Sequence, residues 1–434
     1  MLVLEYKVKA KPSQYKAIDE AVRTVQFIRN KCLRHWMDAS ARLRRERSVE
    51  RSATAPKEAK VNRFTLNKYS TELRNKFPFV KDLNSMAVQA SAERAWLAIA
   101  RFYDNVRLSA HVEACKAKKS GKKGFPRFQK DNRSVEYKTS GWSLHPTRRQ
   151  ITITDKKGIG ELKLLGKWDI HTYPVKSIKR VRLIRRADGY YCQFAIDVEC
   201  VDIQPKTGKE IGLDVGLESF YTDSNGHHEP NPKFLKTADK NIQHAQRQIY
   251  KKKKGSSNRR KARKRYSKKH LKVNRQRIEH AKRLARNVCK SNDLVAYEDL
   301  RIRHMVKCHN RARSIHDASW YQFRLWLEHF ASKFGKTAIA VAPHNTSQEC
   351  CLCGKKVKKE LKERVHRCSC GCVLHRDINA AINILLKARI ELTRNAKSRD
   401  GQSRSNALGV VASTLVGAIL LGQATTLIKE SPVL

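Results

Sequence analysis

The sequence is short of acidic residues, with 40 Asp and Glu against 92 Lys and Arg in a chain of 434 residues. A net charge of +52 destabilises a compact chain by self-repulsion unless something neutralises it. A phosphate backbone does so with release of counterions, and nucleic acid is therefore the expected partner. An anionic membrane is the weaker interpretation, because binding there requires a basic amphipathic helix or an anchor.

The chain also lacks a secretory signal and an uninterrupted apolar span. Residues 1–6 are typical of a strand, without the basic start and apolar stretch of a signal peptide. Residues 407–428 carry no charge and are long enough to cross a bilayer, but five polar residues and three glycines dilute them. We expect this stretch to belong to a structureless or surface-packed tail and expect no membrane partner.

Cysteines are scarce outside one short window. Six of the twelve lie within residues 350–372, and the others are scattered singly. This distribution excludes a secreted disulfide scaffold and favours a reduced compartment with one metal site. Two clustered sets of cysteines with this spacing predict structural zinc.

The apolar patterns predict a multidomain α+β protein. The N-terminal part is helical after a first strand at residues 1–10, with helices near 13–45 and 84–105. Short strands between 134 and 198 indicate a small β-barrel or sandwich, to which the first strand returns. From residue 211 strands alternate with helices, which indicates an α/β domain. Its predicted elements are strands at 211–216, 220–222, 294–298 and 337–342, and helices at 238–290, 320–334 and 377–390.

Three acids stand at the edges of apolar elements in this last domain. Asp214 and Glu298 each end a strand, and Asp377 begins a helix just after the cysteines. A single acid in such a place is more often a cap or an ion pair. Three together repel one another, and burying them is costly unless a metal is bound. Mg²⁺ prefers such oxygen ligands, and two ions can clamp the oxygens of a phosphodiester.

A dense basic run lies between the first two acidic strands, where half of residues 251–286 are Lys or Arg. Such a run is often a solvated face. Its density, and the break at 251–257, favour a helix pair that follows phosphates. The candidate nucleic-acid contacts are Lys251, Lys252, Lys253, Lys254, Arg259, Arg260, Arg263, Lys264, Arg265 and Lys268.

Four motifs together resemble the TnpB (OrfB) family. They are IGLDVG at 211–216, YEDL at 297–300, the paired cysteines, and RDINAA at 376–381. The resemblance covers residues 207–390, and GFPRF at 124–128 and TSGW at 139–142 extend it weakly. It implies a bacterial, transposon-encoded, RNA-guided DNA nuclease related to the type V CRISPR effectors. The α/β domain would then be a RuvC-like, RNase H-type nuclease.

The resemblance implies the active site and the partners. Asp214, Glu298 and Asp377 would be the catalytic acids that hold two Mg²⁺ ions. A guide RNA and double-stranded target DNA would be bound by a monomer in the bacterial cytoplasm, at the nucleoid when on DNA. Arg127 would contact nucleic acid, and Gln89 and Thr139 are the candidates for reading a short DNA motif beside the target.

The resemblance also suggests how the cysteines bind one zinc ion. Cys350 and Cys353 match the first pair of the family pattern, whereas the second pair is one residue short. Cys368 and Cys370 are the preferred second pair, with Cys372 as a substitute. His366 and His375 are further alternatives, and Cys351 is expected to be a bystander. Four protein ligands leave no open position, so this zinc would be structural.

The resemblance divides the chain into seven segments. These are a first wedge strand at 1–12, a helical recognition domain at 13–116, a β-barrel wedge domain at 117–205, a nuclease domain at 206–343 with a basic helical insert at 238–290, a zinc-binding insert for target nucleic acid at 344–375, a last nuclease helix at 376–392, and a structureless tail at 393–434.

Two other functions compete with cleavage. The first is an RNA-guided regulator of transposition that binds DNA without relevant cleavage, and the intact acid triad disfavours it. The second is a transposase that performs strand transfer itself. The spacing of the acids is wrong for a DDE enzyme, and the doublet His227-His228 lacks the spacer of an HUH site, so an exposed turn is expected there.

Overall fold

The computed structural model describes residues 2–49, 61–114, 124–198, 202–307, 309–360 and 363–400. The chain forms two compact units, Met1–Cys200 and Val201–Leu434. Both helices and strands are present in each unit. The prediction of a mixed α and β architecture is therefore confirmed.

The strands of the first unit form one antiparallel sheet of seven strands, in the order β2-β6-β7-β1-β5-β4-β3. The first strand returns to its centre, between β7 and β5, as predicted. The strands are β1 (Leu2–Lys9), β2 (Ser134–Lys138), β3 (Trp142–Leu144), β4 (Gln150–Ile153), β5 (Gly160–Leu165), β6 (Ile178–Arg186) and β7 (Gly189–Ile196).

The prediction of a closed β-barrel is wrong. The edge strands β2 and β3 are separated by a three-residue 3₁₀ turn at Thr139–Gly141, yet within the described ranges they share no ladder. Closure requires a stagger of strand register around the whole ring, which the pattern within each strand does not specify. Here a helix packs against β2 and the turn, and so protects that edge.

The helices of the first unit are α1 (Pro12–Val49), α2 (Arg63–Lys76), α3 (Pro78–Lys81) and α4 (Ser85–Ala114). Along α1, Ile18, Val22, Val25 and Ile28 are buried, as their spacing predicts. The helix runs further than the expected end near residue 45. Helix α2 was not predicted from the sequence, and its N-terminus is closed by a capping box between Asn62 and Thr65.

The second unit contains a five-stranded sheet in the order β10-β9-β8-β11-β12. Strands β8, β9 and β10 are antiparallel neighbours, whereas β11 and β12 run parallel to β8. A separate hairpin is formed by two further short strands. The strands are β8 (Glu210–Val215), β9 (Ser219–Asp223), β10 (His228–Pro230), β11 (Leu294–Glu298), β12 (Thr337–Val341), β13 (Val365–Arg367) and β14 (Val373–His375).

Helices cover both faces of this sheet. Leu213, Val295 and Tyr297 pack in one core with α6 and α9, whereas Leu294 and Ala296 pack in another with α10. The helices of the unit are α5 (Phe234–Tyr250), α6 (Ser257–Ser291), α7 (Ile302–Met305), α8 (His309–Ala318), α9 (Trp320–Phe334) and α10 (Arg376–Asp400).

Gly212 allows α10 to lie directly on β8. A Cβ atom at this position would lie 2.1 Å from the carbonyl oxygen of Ala381 and 3.0 Å from the Leu385 Cβ. Only glycine therefore permits this approach, which brings the start of α10 to the carboxyl edge of the sheet.

Most predicted elements of the second unit are present. β11 and α9 match their predicted spans, and the basic run forms two helices, α5 and α6, separated at residues 251–256. α10 continues to Asp400, beyond the predicted end at 392. Within the described ranges, no helix is both long and apolar enough to cross a membrane. The apolar stretch 407–428 lies outside those ranges.

Candidate active site and cysteine knob

The three predicted acids converge at the carboxyl edge of the second sheet. Leu213 of β8 pairs with Tyr297 of β11, so Asp214 and Glu298 follow at matching positions on adjacent parallel strands. Asp377 is the second residue of α10, which packs on β8. The apolar strands thus end in acids at one edge, as the sequence predicts.

Asp214 is influenced by the two other acids. The pKa of Asp214 lies well above its usual range because the carboxyl is buried and faces Glu298 and Asp377, whereas Arg376 opposes this rise. The three carboxylates do not all lie within 4.8 Å of one another. Among the described residues, sets of three or more ligand atoms at that spacing occur only in the cysteine region. A buried, repelled carboxylate is stabilised by a cation.

Glu298 is held by a residue that the sequence analysis did not identify. The Thr346 hydroxyl donates a hydrogen bond to Glu298 Oε1 at 2.6 Å. Burial raises the pKa of Glu298, whereas this bond and the charge of Lys387 lower it. Thr346 is itself buried. It therefore fixes the carboxylate in one orientation from a segment 48 residues further along the chain.

Asp377 is half-buried, as are the two other acids. Its Oδ2 lies 3.8 Å from Arg364, and its Oδ1 lies 3.4 Å from the Nε of Arg376. The rings of His228 and His375 meet edge to face at 5.0 Å, and His228 Nδ1 lies 2.9 Å from the Thr222 hydroxyl. His228 is exposed, as expected, but it begins β10 just after the turn instead of lying in it, and it lies near Asp377.

One face of α10 clamps the segment that carries Thr346. Asn379 Nδ2 donates to the Glu349 carbonyl at 2.8 Å, and Asn383 Nδ2 donates to the Thr346 and Glu349 carbonyls at 2.9 and 2.7 Å. Lys387 donates to the His344 carbonyl. These residues recur every fourth position, beside the apolar face that packs on the sheet. That polar stripe is the sequence signal that was overlooked.

Residues 344–375, termed the cysteine knob, bring the predicted zinc ligands together. The sulfurs of Cys350, Cys353, Cys368 and Cys370 all lie within 4.8 Å of one another. Cys350 Sγ is 3.6 Å from Cys370 Sγ, and Cys353 Sγ is 3.5 Å from Cys368 Sγ. Tetrahedral zinc with Zn–S bonds of about 2.3 Å separates its sulfurs by about 3.8 Å. The sulfur spacing therefore fits zinc.

The thiol of Cys350 is prepared for metal binding. Burial raises its pKa, but the backbone N–H groups of Cys353 and Leu352 outweigh this and bring the pKa to about 5. Cys350 is therefore a thiolate at neutral pH, which is the form that binds zinc.

The basic residues chosen from the sequence line an exposed surface. Arg259 is half-buried and bonds the Lys252 carbonyl, and the other nine candidates between residues 251 and 268 are exposed. On the described part of the chain, no carboxylate lies within ion-pair distance of any of these candidates. Their charge is thus available to an external polyanion.

Three candidates lie in the first unit. Gln89 is half-buried in α4, and Thr139 is exposed in the turn against which α4 packs. Arg127 lines a pocket of about 510 Å³, which the sequence analysis did not foresee. The other residues of its wall are Arg29, Arg94, Gln129, Asn132, Ser134 and Arg182. Arg94 and Arg182 already pair with Glu136, so Arg29 and Arg127 are the cations that this pocket offers to an anion.

Comparisons with known proteins match the second unit twice. The family model OrfB_IS605, described as "Probable transposase", matches residues 193–309, and the model described as "Cas12f1-like, TNB domain" matches residues 320–384. The second match spans the cysteine knob and the start of α10.

Two curated relatives carry the name "Putative RNA-guided DNA endonuclease". The protein from Streptomyces pristinaespiralis is 28% identical over 71% of this chain and 72% of its own length. InsQ from Escherichia coli K12 is 29% identical over 48% of this chain and 56% of its own length. A solved Cas12f1–sgRNA–target DNA complex is 14% identical, covers 86% of this chain and 82% of that chain, and has a TM-score of 0.49.

Fold and site define an α/β protein with a cysteine-rich insert before its last helix. The family matches and the curated relatives confirm the resemblance of the chain to the TnpB (OrfB) family.

Proposed function

We propose that this chain is an RNA-guided DNA endonuclease that hydrolyses phosphodiesters beside a short transposon-associated motif. The observation that carries this proposal is the convergence of Asp214, Glu298 and Asp377 at one sheet edge, with a raised pKa at Asp214. The names of the two curated relatives support the same activity. The strand order, with two parallel strands added beside an antiparallel trio, supports a RuvC-like, RNase H-type domain.

Two Mg²⁺ ions fit the donor set of this edge. Bound there, they would activate water and stabilise the leaving oxygen. Asp214 is the inner ligand, since its carboxyl faces both other acids. Glu298 is oriented by Thr346, and Asp377 faces Arg364. Arg364 and Arg376, close to Asp377, are placed to attract the phosphate.

Nucleic acid would be held by the exposed cations between residues 251 and 268 and by the arginine pocket at Arg127. One zinc ion at Cys350, Cys353, Cys368 and Cys370 would stabilise the cysteine knob. The Asn379 and Asn383 side chains join that knob to α10, and Thr346 joins the same segment to Glu298. Zinc binding would thereby support the geometry of the acid edge.

The test is cleavage by the purified complex of protein and co-purified RNA. We expect Asp214→Ala to keep RNA and target-DNA affinity and to lose cleavage in Mg²⁺. Asp299→Asn, which changes the exposed acid next to Glu298, is the matched control and should cut normally. A mutant at Asp214 that still cuts would show that the site is wrong, and a wild type that binds but never cuts would favour the regulator.

A further inference from the structure

The interior of the cysteine knob consists of potential metal ligands. Apart from Thr346, which faces Glu298, the buried residues among the described part of 344–375 are Cys350, His366 and Cys372, exposed by 1, 0 and 3%. The hydrophobic side chains Leu352, Val365 and Val373 are 44–55% exposed. A segment this size with no apolar core of its own requires another source of stability.

These three buried residues form a ligand set of their own. The Cys350 and Cys372 sulfurs and a ring nitrogen of His366 lie within 4.8 Å of one another. Cys350 also belongs to the more exposed set with Cys353, Cys368 and Cys370. Cys350 is therefore shared by two ligand sets.

His366 shows that the inner set is incomplete as it stands. Its ring is fully buried, and Nε2 has no hydrogen-bond partner among the described residues. The other nitrogen, Nδ1, is engaged by Lys359, which also bonds the Ser347 carbonyl at 3.1 Å. A histidine bound to metal through one nitrogen usually has the other fixed by a neighbour. An orphaned buried imidazole nitrogen is costly, and a metal ion there would satisfy it.

A fourth ligand is available beside this set. Cys351 is half-buried and directly follows Cys350, although its sulfur is not among the ligand atoms that all lie within 4.8 Å of one another. Its backbone N–H donates to Asn379 Oδ1 at 3.0 Å, which fixes the residue against α10. Cys351 is therefore placed to move in as a fourth ligand, whereas the sequence analysis expected a bystander.

We propose that the cysteine knob binds two zinc ions bridged by the Cys350 thiolate. Cys353, Cys368 and Cys370 complete the outer site, and Cys351, His366 and Cys372 complete the inner one. Each ion then has four protein ligands, as structural zinc requires. All six cysteines of the window are used, and the inner ion replaces the missing apolar core. This extends the single zinc of the proposed function and does not depend on cleavage.

The decisive measurement is the zinc content of the intact purified chain, by elemental analysis and native mass spectrometry. We expect two zinc ions per chain. One ion would overturn the inner site and leave the outer one standing, and none would also remove zinc from the proposed function.

Variants then separate the two sites. Cys372→Ser and His366→Asn should each leave one zinc, as should Cys370→Ser, whereas Cys350→Ser should leave none. His344→Asn, an exposed histidine of the knob in neither set, is the control and should keep two. After exchange into Co²⁺, His366→Asn should retain the spectrum of a site with four sulfurs, and Cys370→Ser that of three sulfurs and one nitrogen. Identical spectra for the two variants would contradict two distinct sites.

Discussion

The acid edge and the cysteine knob both gather groups that repel one another, but they do so by opposite means. At the edge, β8, β11 and α10 place the acids, and apolar packing on both sheet faces holds these elements. In the knob, the cysteines of the candidate ligand sets lie in the turns at 350–353 and 368–372, and His366 lies in a strand of three residues. Apart from Thr346, the buried side chains belong to those sets. If both regions bind the metals proposed above, the metal at the edge would be optional for folding, whereas the metal in the knob would be part of the fold.

The two regions therefore differ in what stabilises them: apolar packing at the acid edge and candidate metal ligands in the knob. A sheet with an apolar core can hold a carboxylate in an unfavourable environment without unfolding. The pKa of Asp214 is raised in this way, and perturbed pKa values are typical of active sites. The cysteine knob lacks an apolar core among its described residues, so no apolar packing offsets the cost of holding its groups together.

Loss of a zinc ligand should unfold the knob and leave the sheet intact. Cys350→Ser, which removes the ligand common to both sets, should release the bound zinc and lower cleavage by roughly 100-fold, because the clamp from α10 loses its partner segment. Hydrogen exchange should rise across residues 344–375 and stay unchanged in β8 and β11. Ser369→Ala, beside two ligands, should behave as wild type. Equal exchange in both regions would show that the knob does not depend on its cysteines more than the sheet does.

Removal of an acid from the edge should instead stabilise the second unit. The raised pKa of Asp214 penalises the fold once pH rises above the unfolded value near 4, and in full above the raised value. Asp214→Asn should therefore melt about 3 °C or more above wild type at pH 7 without divalent ions. The gain should vanish below pH ~4, and Mg²⁺ should stabilise only the wild type. Calorimetry with and without Mg²⁺ measures both, and a lower melting temperature would contradict the strained carboxylate.

Thr346 joins the two regions, and its loss should alter the chemistry more than the fold. Because its hydroxyl lowers the pKa of Glu298, Thr346→Val should raise that pKa and move the acidic limb of the cleavage profile to higher pH. Removing a hydrogen bond worth about 1 kcal/mol lowers the rate roughly fivefold at neutral pH. Thr346→Ser keeps the hydroxyl and should restore the wild-type profile. An unshifted profile in the valine variant would mean that the threonine only supports packing.

The sequence predicted the parts of the site that lie within single elements. Glu298 was found because a short apolar run ends there, and Asp377 because a helix pattern begins there. The Thr346 hydrogen bond was not predictable, since it joins positions far apart and no periodicity marks a loop. The open sheet was missed because strand patterns do not encode closure. Helix α2 was missed because just three of its residues, Leu66, Ser70 and Leu73, are buried.

The smallest effect on chemistry is expected from the basic loop between α5 and α6, which lies in neither region. The test replaces Lys251, Lys252, Lys253 and Lys254 with Gln. The slope of log affinity for nucleic acid against log salt concentration should become shallower by about 0.9 for each phosphate that the loop no longer neutralises. Arginine at the same positions keeps the charge and should keep the slope. The slope should also survive Asp214→Asn, because that change removes chemistry and leaves the phosphate-binding cations in place. If Cys350→Ser also makes the slope shallower, the knob binds nucleic acid in addition to supporting the acid edge. The two regions would then differ less in function than their architecture implies.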